Sequence, residues 1–414
     1  MKFLSAFLLT AALSLGQQSP QADQDDLRSR VAEAGNSTPE FMRALEAHLK
    51  KFPGSSQKAE VERTLFRGAI ELKDNVRLVK FGSRVLAIDP DDMQALEFTT
   101  RALLATDNKD AAATALTHAK RFEKVLRNLE PKQGGEPLRW QQRAELDQGI
   151  GRALVFQARA VGNMGQTDEA LKLCQASFTV NASAEAAREQ GRWLAKLNKF
   201  IEATESFALG YALAANDSER ERDLKLVRET WRKAHPSEAG AGDKLIIALD
   251  RAVEIKAAKK AKFQAIDPNA LETEAMRYVL PGVSGLKVSL ASLKGKVVIM
   301  DFWATWCGPC RTQHPLYEQV KKRFNGRDDV IFLAIATDED PSLVEPFLNS
   351  QKWSKQVYFE SGLSRLLNVT SIPTTIIFNK NGDVASRMNG FAPESFVNVL
   401  SDRIQQILDE KTAE

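Results

Sequence analysis

The sequence predicts two architectures in one chain: an all-α helical array, then an α/β domain built on a central sheet. Three observations predict this. From about residue 24 to 262, Ala, Leu, Glu, Lys and Arg dominate, and apolar residues recur at helical spacing with few strand-like runs. From about residue 270, short β-branched apolar runs alternate with helical patterns, the order that covers a sheet with helices. A Cys-Gly-Pro-Cys stands where one of those strands meets the next helix.

The chain has 414 residues, enough for two or three domains, and a net charge of +3 that points to neither nucleic acid nor a membrane surface. Its first element is not part of the fold. Met1-Lys2 is a short basic start, and Phe3 to Leu15 is an apolar run too short to span a bilayer comfortably. Ser14-Leu15-Gly16 offers small residues for cleavage, and polar Gln17-Gln18-Ser19 follows. Residues 1–16 therefore read as a secretory signal, with an uncleaved anchor as the alternative. No Cys lies near this start, which argues against a lipoprotein anchor. Export implies a soluble periplasmic or other extracytoplasmic protein, where cysteine pairs meet an oxidising environment and need a partner to set their state.

The helical region, 24–262, contains two segments that resemble each other. Ala158, Asp168-Glu169-Ala170 and Cys174 match Gly191, Ile201-Glu202-Ala203 and Phe207 at an offset of 33 residues. Small residues fall at 158/191 and 170/203, where two helices would approach, and larger ones at 174/207. Val85-Leu-Ala-Ile-Asp89-Pro90 ends an earlier helical segment in a similar way. The pattern resembles the tetratricopeptide (TPR) repeat, a helix pair that stacks into arrays and offers a surface to a protein partner. A generic helical bundle is the alternative. Cys174 falls at helical spacing with Ala170, Leu171 and Phe178 and reads as a buried apolar side chain. Glu130 to Pro137 is a loop by its Gly and Pro content. The basic stretch Ala257 to Pro268 leads to the second domain, 270–414.

In that domain Val297–Phe302 reads as a buried strand and Pro309–Phe324 as a helix. Val330–Thr337 and Pro341–Gln351 repeat the alternation. Gln356–Phe359 and Gly362–Leu367 are a short strand and a short helix. Thr374–Phe378 and Val384–Met388 form a hairpin around Asn381-Gly382, and Pro393–Leu408 closes the domain. Cys307 should therefore stand at a helix N-terminus, where free N–H groups and the helix dipole favour a thiolate. Cys310 lies one turn inward, placed to attack a mixed disulfide at Cys307. A structural zinc site would need a second ligand pair, and Cys174 and His314 supply none at a suitable spacing.

From about 277 to 408 the chain resembles the thioredoxin superfamily, and within it the exported TlpA/ResA-like thiol-disulfide oxidoreductases. The match rests on the strand–Trp306-Cys307-Gly308-Pro309-Cys310–helix unit and on the upstream Gly285 to Lys296. It rests also on the inserted strand–helix unit near 330–351 and on Ser371-Ile372-Pro373-Thr374-Thr375. The resemblance implies a thioredoxin fold and disulfide exchange on protein thiols, with no metal or organic cofactor and an outside electron donor. Cys307 would attack, Cys310 would resolve, Trp306 would wall the site, and Pro309 would tune the turn. Pro373, if cis, would expose the Ile372 backbone to an incoming chain.

One departure is informative. Relatives of this kind usually carry Glu three residues after the second Cys, and here that residue is Gln313, which cannot exchange a proton. Asp301, six residues before Cys307, is the matching position of the buried acid in cytoplasmic thioredoxins. Asp301 is thus the expected proton acceptor for Cys310, with a pKa raised by burial. The Gly-Pro dipeptide is that of thioredoxin and favours a reducing role. Two other functions remain open on the sequence: a helical scaffold with a regulatory redox appendage, and a thiol peroxidase. The residues before Cys307 are Ala-Thr-Trp, without the Pro and Thr usual ahead of a peroxidatic Cys.

Overall fold

The computed structural model describes residues 19–106, 108–132, 137–390 and 392–410. The expected signal segment, 1–16, lies outside the described residues. The chain divides into two compact units, 1–257 and 258–414.

Unit 1 holds twelve helices among its described residues: α1 (Pro20–Ala34), α2 (Thr38–Lys51), α3 (Lys58–Glu71), α4 (Asn75–Ile88), α5 (Met93–Leu103), α6 (Lys109–Arg127), α7 (Trp140–Asn163), α8 (Thr167–Val180), α9 (Ala184–Lys196), α10 (Phe200–Leu213), α11 (Asp217–Ala234) and α12 (Ala241–Gln264). Several begin on Ser, Asp or Asn side chains that accept from the first turn, as Asp74, Asp92, Asn108 and Ser183 do. Each helix through α11 packs on the next, and α7 also touches α9, so neighbours alternate along a stack. Small residues set the closest approaches. A Cβ on Gly162 would lie 2.3 Å from the Trp193 ring, and one on Gly191 would lie 2.8 Å from Phe207. Ala158, Ala170, Ala203 and Cys174 are fully buried beside them. Cys174 is the free cysteine, and burial pushes its thiol far up, so it is an inert core side chain.

Helix α12 covers the basic stretch as far as Gln264, close to the expected end of the helical region near 262, and the border between the units falls inside it. The reason is local. Lys256 to Gln264 is built of Lys, Ala, Phe and Gln, with no breaker before Asp267-Pro268.

In unit 2 a hairpin of β1 (Val279–Pro281) and β2 (Lys287–Ser289) precedes a sheet of β3 (Val297–Trp303), β4 (Val330–Ala336), β5 (Val357–Phe359), β6 (Thr374–Phe378) and β7 (Val384–Asn389). The spatial order is β5-β4-β3-β6-β7. Strands β3, β4 and β5 are parallel, and β6 and β7 are antiparallel to their neighbours. Helices α13 (Gly308–Arg323), α14 (Val344–Gln351), α15 (Leu363–Leu366) and α16 (Phe396–Asp409) complete it. Period-2 alternation sorts β3 between two cores. Val298, Met300 and Phe302 pack with Leu280, Leu290 and Leu363 on one face. Val297 and Ile299 pack on the other, against Tyr317 and Val320 of α13 and Leu400 and Ile404 of α16. Asp301 continues that second face.

Candidate active site

Central β3 is buried along its whole length, between parallel β4 and antiparallel β6, so the turn after it starts from a fixed strand end. The chain leaves the sheet at Ala304 and enters α13 at Gly308. Cys307 is the N-cap of α13, and its sulfur accepts from the Cys310 backbone N–H at 3.2 Å. Free N–H groups therefore point at the sulfur expected to carry negative charge. Cys307 and Cys310 form a disulfide, each 4 % exposed. The sequence expected cover for Cys310 alone. The second sulfur of the pair shields the first, so both are hidden in this oxidised state.

The loop before the pair is pinned from a distance. Asp338, just beyond β4, accepts from the Thr305 backbone N–H at 3.1 Å and from its hydroxyl at 2.6 Å. Nothing in the sequence marks this pair, because 33 residues separate its members.

Asp301 lies beneath α13, with Ala334 and Thr375 as its strand neighbours. Its Oδ1 accepts two hydrogen bonds, from Gln313 Nε2 at 2.8 Å and from the Thr375 hydroxyl at 3.1 Å. Burial raises its pKa to about 7, and the two donors pull it the other way. Tyr317, one turn further along α13, is likewise pushed well up, by burial and then by the Asp301 charge. Gln313 answers the departure seen in the sequence: it does not exchange a proton, but it touches the group that can.

A cavity of about 30 Å³ runs beside this cluster, lined among others by Asp301, Cys310, His314, Glu318, Lys321 and Trp353. That volume holds one or two waters. His314 stacks on Trp353 at 3.5 Å, and burial lowers its pKa. His314, one helical turn after Cys310, lines the same cavity as Cys310 and Asp301.

A separate open groove is lined by Trp306, Thr337, Ser364 and the loop Val369-Thr370-Ser371-Ile372. Trp306 is 69 % exposed, so it is a surface wall and not core. The Ile372–Pro373 peptide is cis, and Pro373 is buried. Of the residues singled out by sequence, Cys307, Cys310 and Asp301 form one cluster, and Trp306 and Ile372 share the groove. Pro309 is exposed in the first turn of α13 and lines neither space. Among the described residues no cluster of three or more His, Cys, Asp or Glu is arranged to hold a metal ion.

Comparison with known proteins gives the same picture. A thioredoxin-like family model matches residues 295–384. Thiol-disulfide oxidoreductase ResA of Bacillus subtilis is 30% identical over 128 residues, covering 30% of this chain and 71% of that protein. Thioredoxin-like protein YneN of the same organism is 32% identical over 111 residues, 26% of this chain and 65% of that protein. A solved thiol:disulfide interchange protein of the thioredoxin family from Chlorobium tepidum is 30% identical, covers 34% of this chain and 98% of its own, and has a TM-score of 0.29. The chain carries a thiol-disulfide oxidoreductase in its second unit and belongs to the ResA/TlpA-like family of thioredoxin-fold proteins.

Proposed function

We propose that this protein is exported and reduces protein disulfides through Cys307 and Cys310, with the helical unit serving as a TPR-like docking surface. The observation that carries the chemistry is Cys307 at the N-cap of α13, with the Cys310 amide on its sulfur and Cys310 in disulfide reach. In the reduced enzyme the Cys307 thiolate attacks a substrate disulfide and releases one substrate thiolate. A mixed disulfide remains. Cys310 gives its proton to Asp301 and attacks the Cys307 sulfur, and the second substrate thiolate leaves. The enzyme is left with the Cys307–Cys310 disulfide, and an outside dithiol must reduce it again.

The groove between Trp306 and Ile372 would seat the extended segment around the substrate cysteine. Docking on the helical unit is supported by the recurrent small-against-large packing at Gly162–Trp193 and Gly191–Phe207, which lets helix pairs stack as repeats do. Export is supported by the basic, apolar and small-residue order of residues 1–16. Among the described residues no helix is long and apolar enough to cross a membrane.

Turnover of a protein disulfide with dithiothreitol as donor tests the reading. Wild-type protein should accelerate reduction, and Cys307→Ser should abolish the acceleration. Retained turnover in Cys307→Ser would refute it.

A further inference from the structure

The exchange chemistry leaves one buried group unexplained. Gln313 is 1 % exposed, on the face of α13 that covers β3. Its Nε2 donates to Asp301, yet its Oε1 is buried with no hydrogen-bond partner. A buried amide end left unmet is costly and asks for a reason. The amide can either donate to or accept from a carboxyl. Its terminal torsion is broad and roughly two-fold, so the ends can exchange in place.

We propose that Gln313 is a positioning residue that holds Asp301 in both of its protonation states. When Asp301 is ionised, Nε2 donates to it, as observed. When Asp301 has taken a proton from Cys310, Oε1 turns to accept the new O–H. One end of the amide is unmet in either orientation, so neither orientation is anchored and the amide follows the carboxyl. The proton balance is simple: the proton lost by the Cys310 thiol is the one Asp301 carries and Gln313 accepts as a hydrogen bond. This rests on the reading of Asp301 as the proton acceptor for Cys310.

Other residue types fail here for chemical reasons. Glu at this position would place a second carboxyl on the same proton, and the two would titrate as a pair. Leu would remove the donor to the anion and leave burial unopposed by it. The titratable side chains that line the cavity beside Asp301 all lie on α13: His314, Tyr317, Glu318 and Lys321, with Cys310 in the disulfide. Strands β4 and β6 contribute only Ala334 and Thr375 at its register, and α16 presents Leu400 and Ile404 on this face.

The experiment titrates Asp301 directly by the infrared carboxyl stretch of the full-length oxidised protein, with Asp301→Asn to assign the band. The rate of disulfide resolution is measured across pH on the same proteins. Gln313→Leu takes a bond from both forms of Asp301, and the one to the carboxylate is roughly twice as strong as the one to the neutral acid, so the midpoint should rise by the difference, about one pH unit. Its rate profile should move by the same amount. Gln313→Glu should replace the single titration by two steps, the upper one above the wild-type midpoint. A Gln313→Leu midpoint within about 0.2 units of wild type, by the same one-hydrogen-bond yardstick, overturns the proposal. If Gln313→Leu does not fold, Gln313→Met and Gln313→Glu carry the same comparison. A purely structural glutamine would alter stability and leave both midpoints in place. The two readings fail separately. An Asp301→Asn rate profile equal to wild type defeats Asp301 as proton acceptor, whereas the infrared midpoints still decide the role of Gln313.

Discussion

Asp301→Asn should stabilise the oxidised protein above about pH 7 and destabilise it at acid pH. Burial raises the carboxyl from its ordinary 3.8 to about 7 in the folded chain. The folded state thus binds this proton more tightly than the unfolded state. Below pH 3.8 both states are protonated and the shift has no effect on stability. Between 3.8 and about 7 the unfolded carboxyl ionises first, so stability falls as pH rises, and above about 7 the loss is complete. The interval spans roughly three pH units, which at 1.36 kcal/mol each is about 4 kcal/mol as an upper bound. Asn keeps an oxygen for Gln313 and Thr375 but adds a buried N–H₂, at about 1–3 kcal/mol. The net gain is then about 1–3 kcal/mol at pH 8, and the change is a loss of about 1–3 kcal/mol at pH 4. Urea unfolding of the full oxidised chain, followed by near-UV circular dichroism at pH 4, 6 and 8, reads this as a midpoint shift of about 1 M at the high end. The same variant should resolve mixed disulfides about tenfold more slowly or worse. A stability difference that is equal at pH 4 and pH 8 would refute the argument that Asp301 is held protonated by burial.

Further outcomes are expected elsewhere. In the reduced protein, alkylation at mildly acidic pH should label Cys307 well before Cys310, since only Cys307 caps α13; equal labelling, read by peptide mass spectrometry, would contradict this. Gly162→Leu should destabilise the helical unit by about 1–3 kcal/mol or more, because even a Cβ meets the Trp193 ring, and a thermal melt followed at 222 nm checks it. A fragment of residues 24–262 should be soluble and helical by circular dichroism, as repeat arrays are held by nearest neighbours; aggregation would show that the units need each other.

What the sequence made legible was local. The strand Val297–Trp303 announced itself by its β-branched run, and Gly308-Pro309 fixed where the next helix starts, so Cys307 could be placed at a cap. The resemblance put Asp301 at the position of a buried acid, and burial made its raised pKa readable too. What stayed hidden was pairing across distance. Thr305 with Asp338, Asp301 with Thr375, and His314 with Trp353 join residues from different strands, helices and loops, and no period or motif links them. Gln313 was noticed only for what it could not do. Its bond to Asp301 depends on how α13 crosses β3, which the sequence does not specify. Helical composition to about residue 262 was legible as well, and α12 ends close to it, at Gln264.

Covalent trapping tests the central claim most directly. Cys310→Ser protein, reduced and mixed with a protein disulfide, should accumulate a one-to-one adduct through Cys307, because the resolving sulfur is gone and the mixed disulfide persists. Intact-mass and peptide analysis identifies the bond. Cys307→Ser should form no such adduct at a comparable rate. An adduct on Cys310 in the Cys307→Ser protein, or none on Cys307 in Cys310→Ser, would contradict attack by the α13 cap and resolution from within the helix.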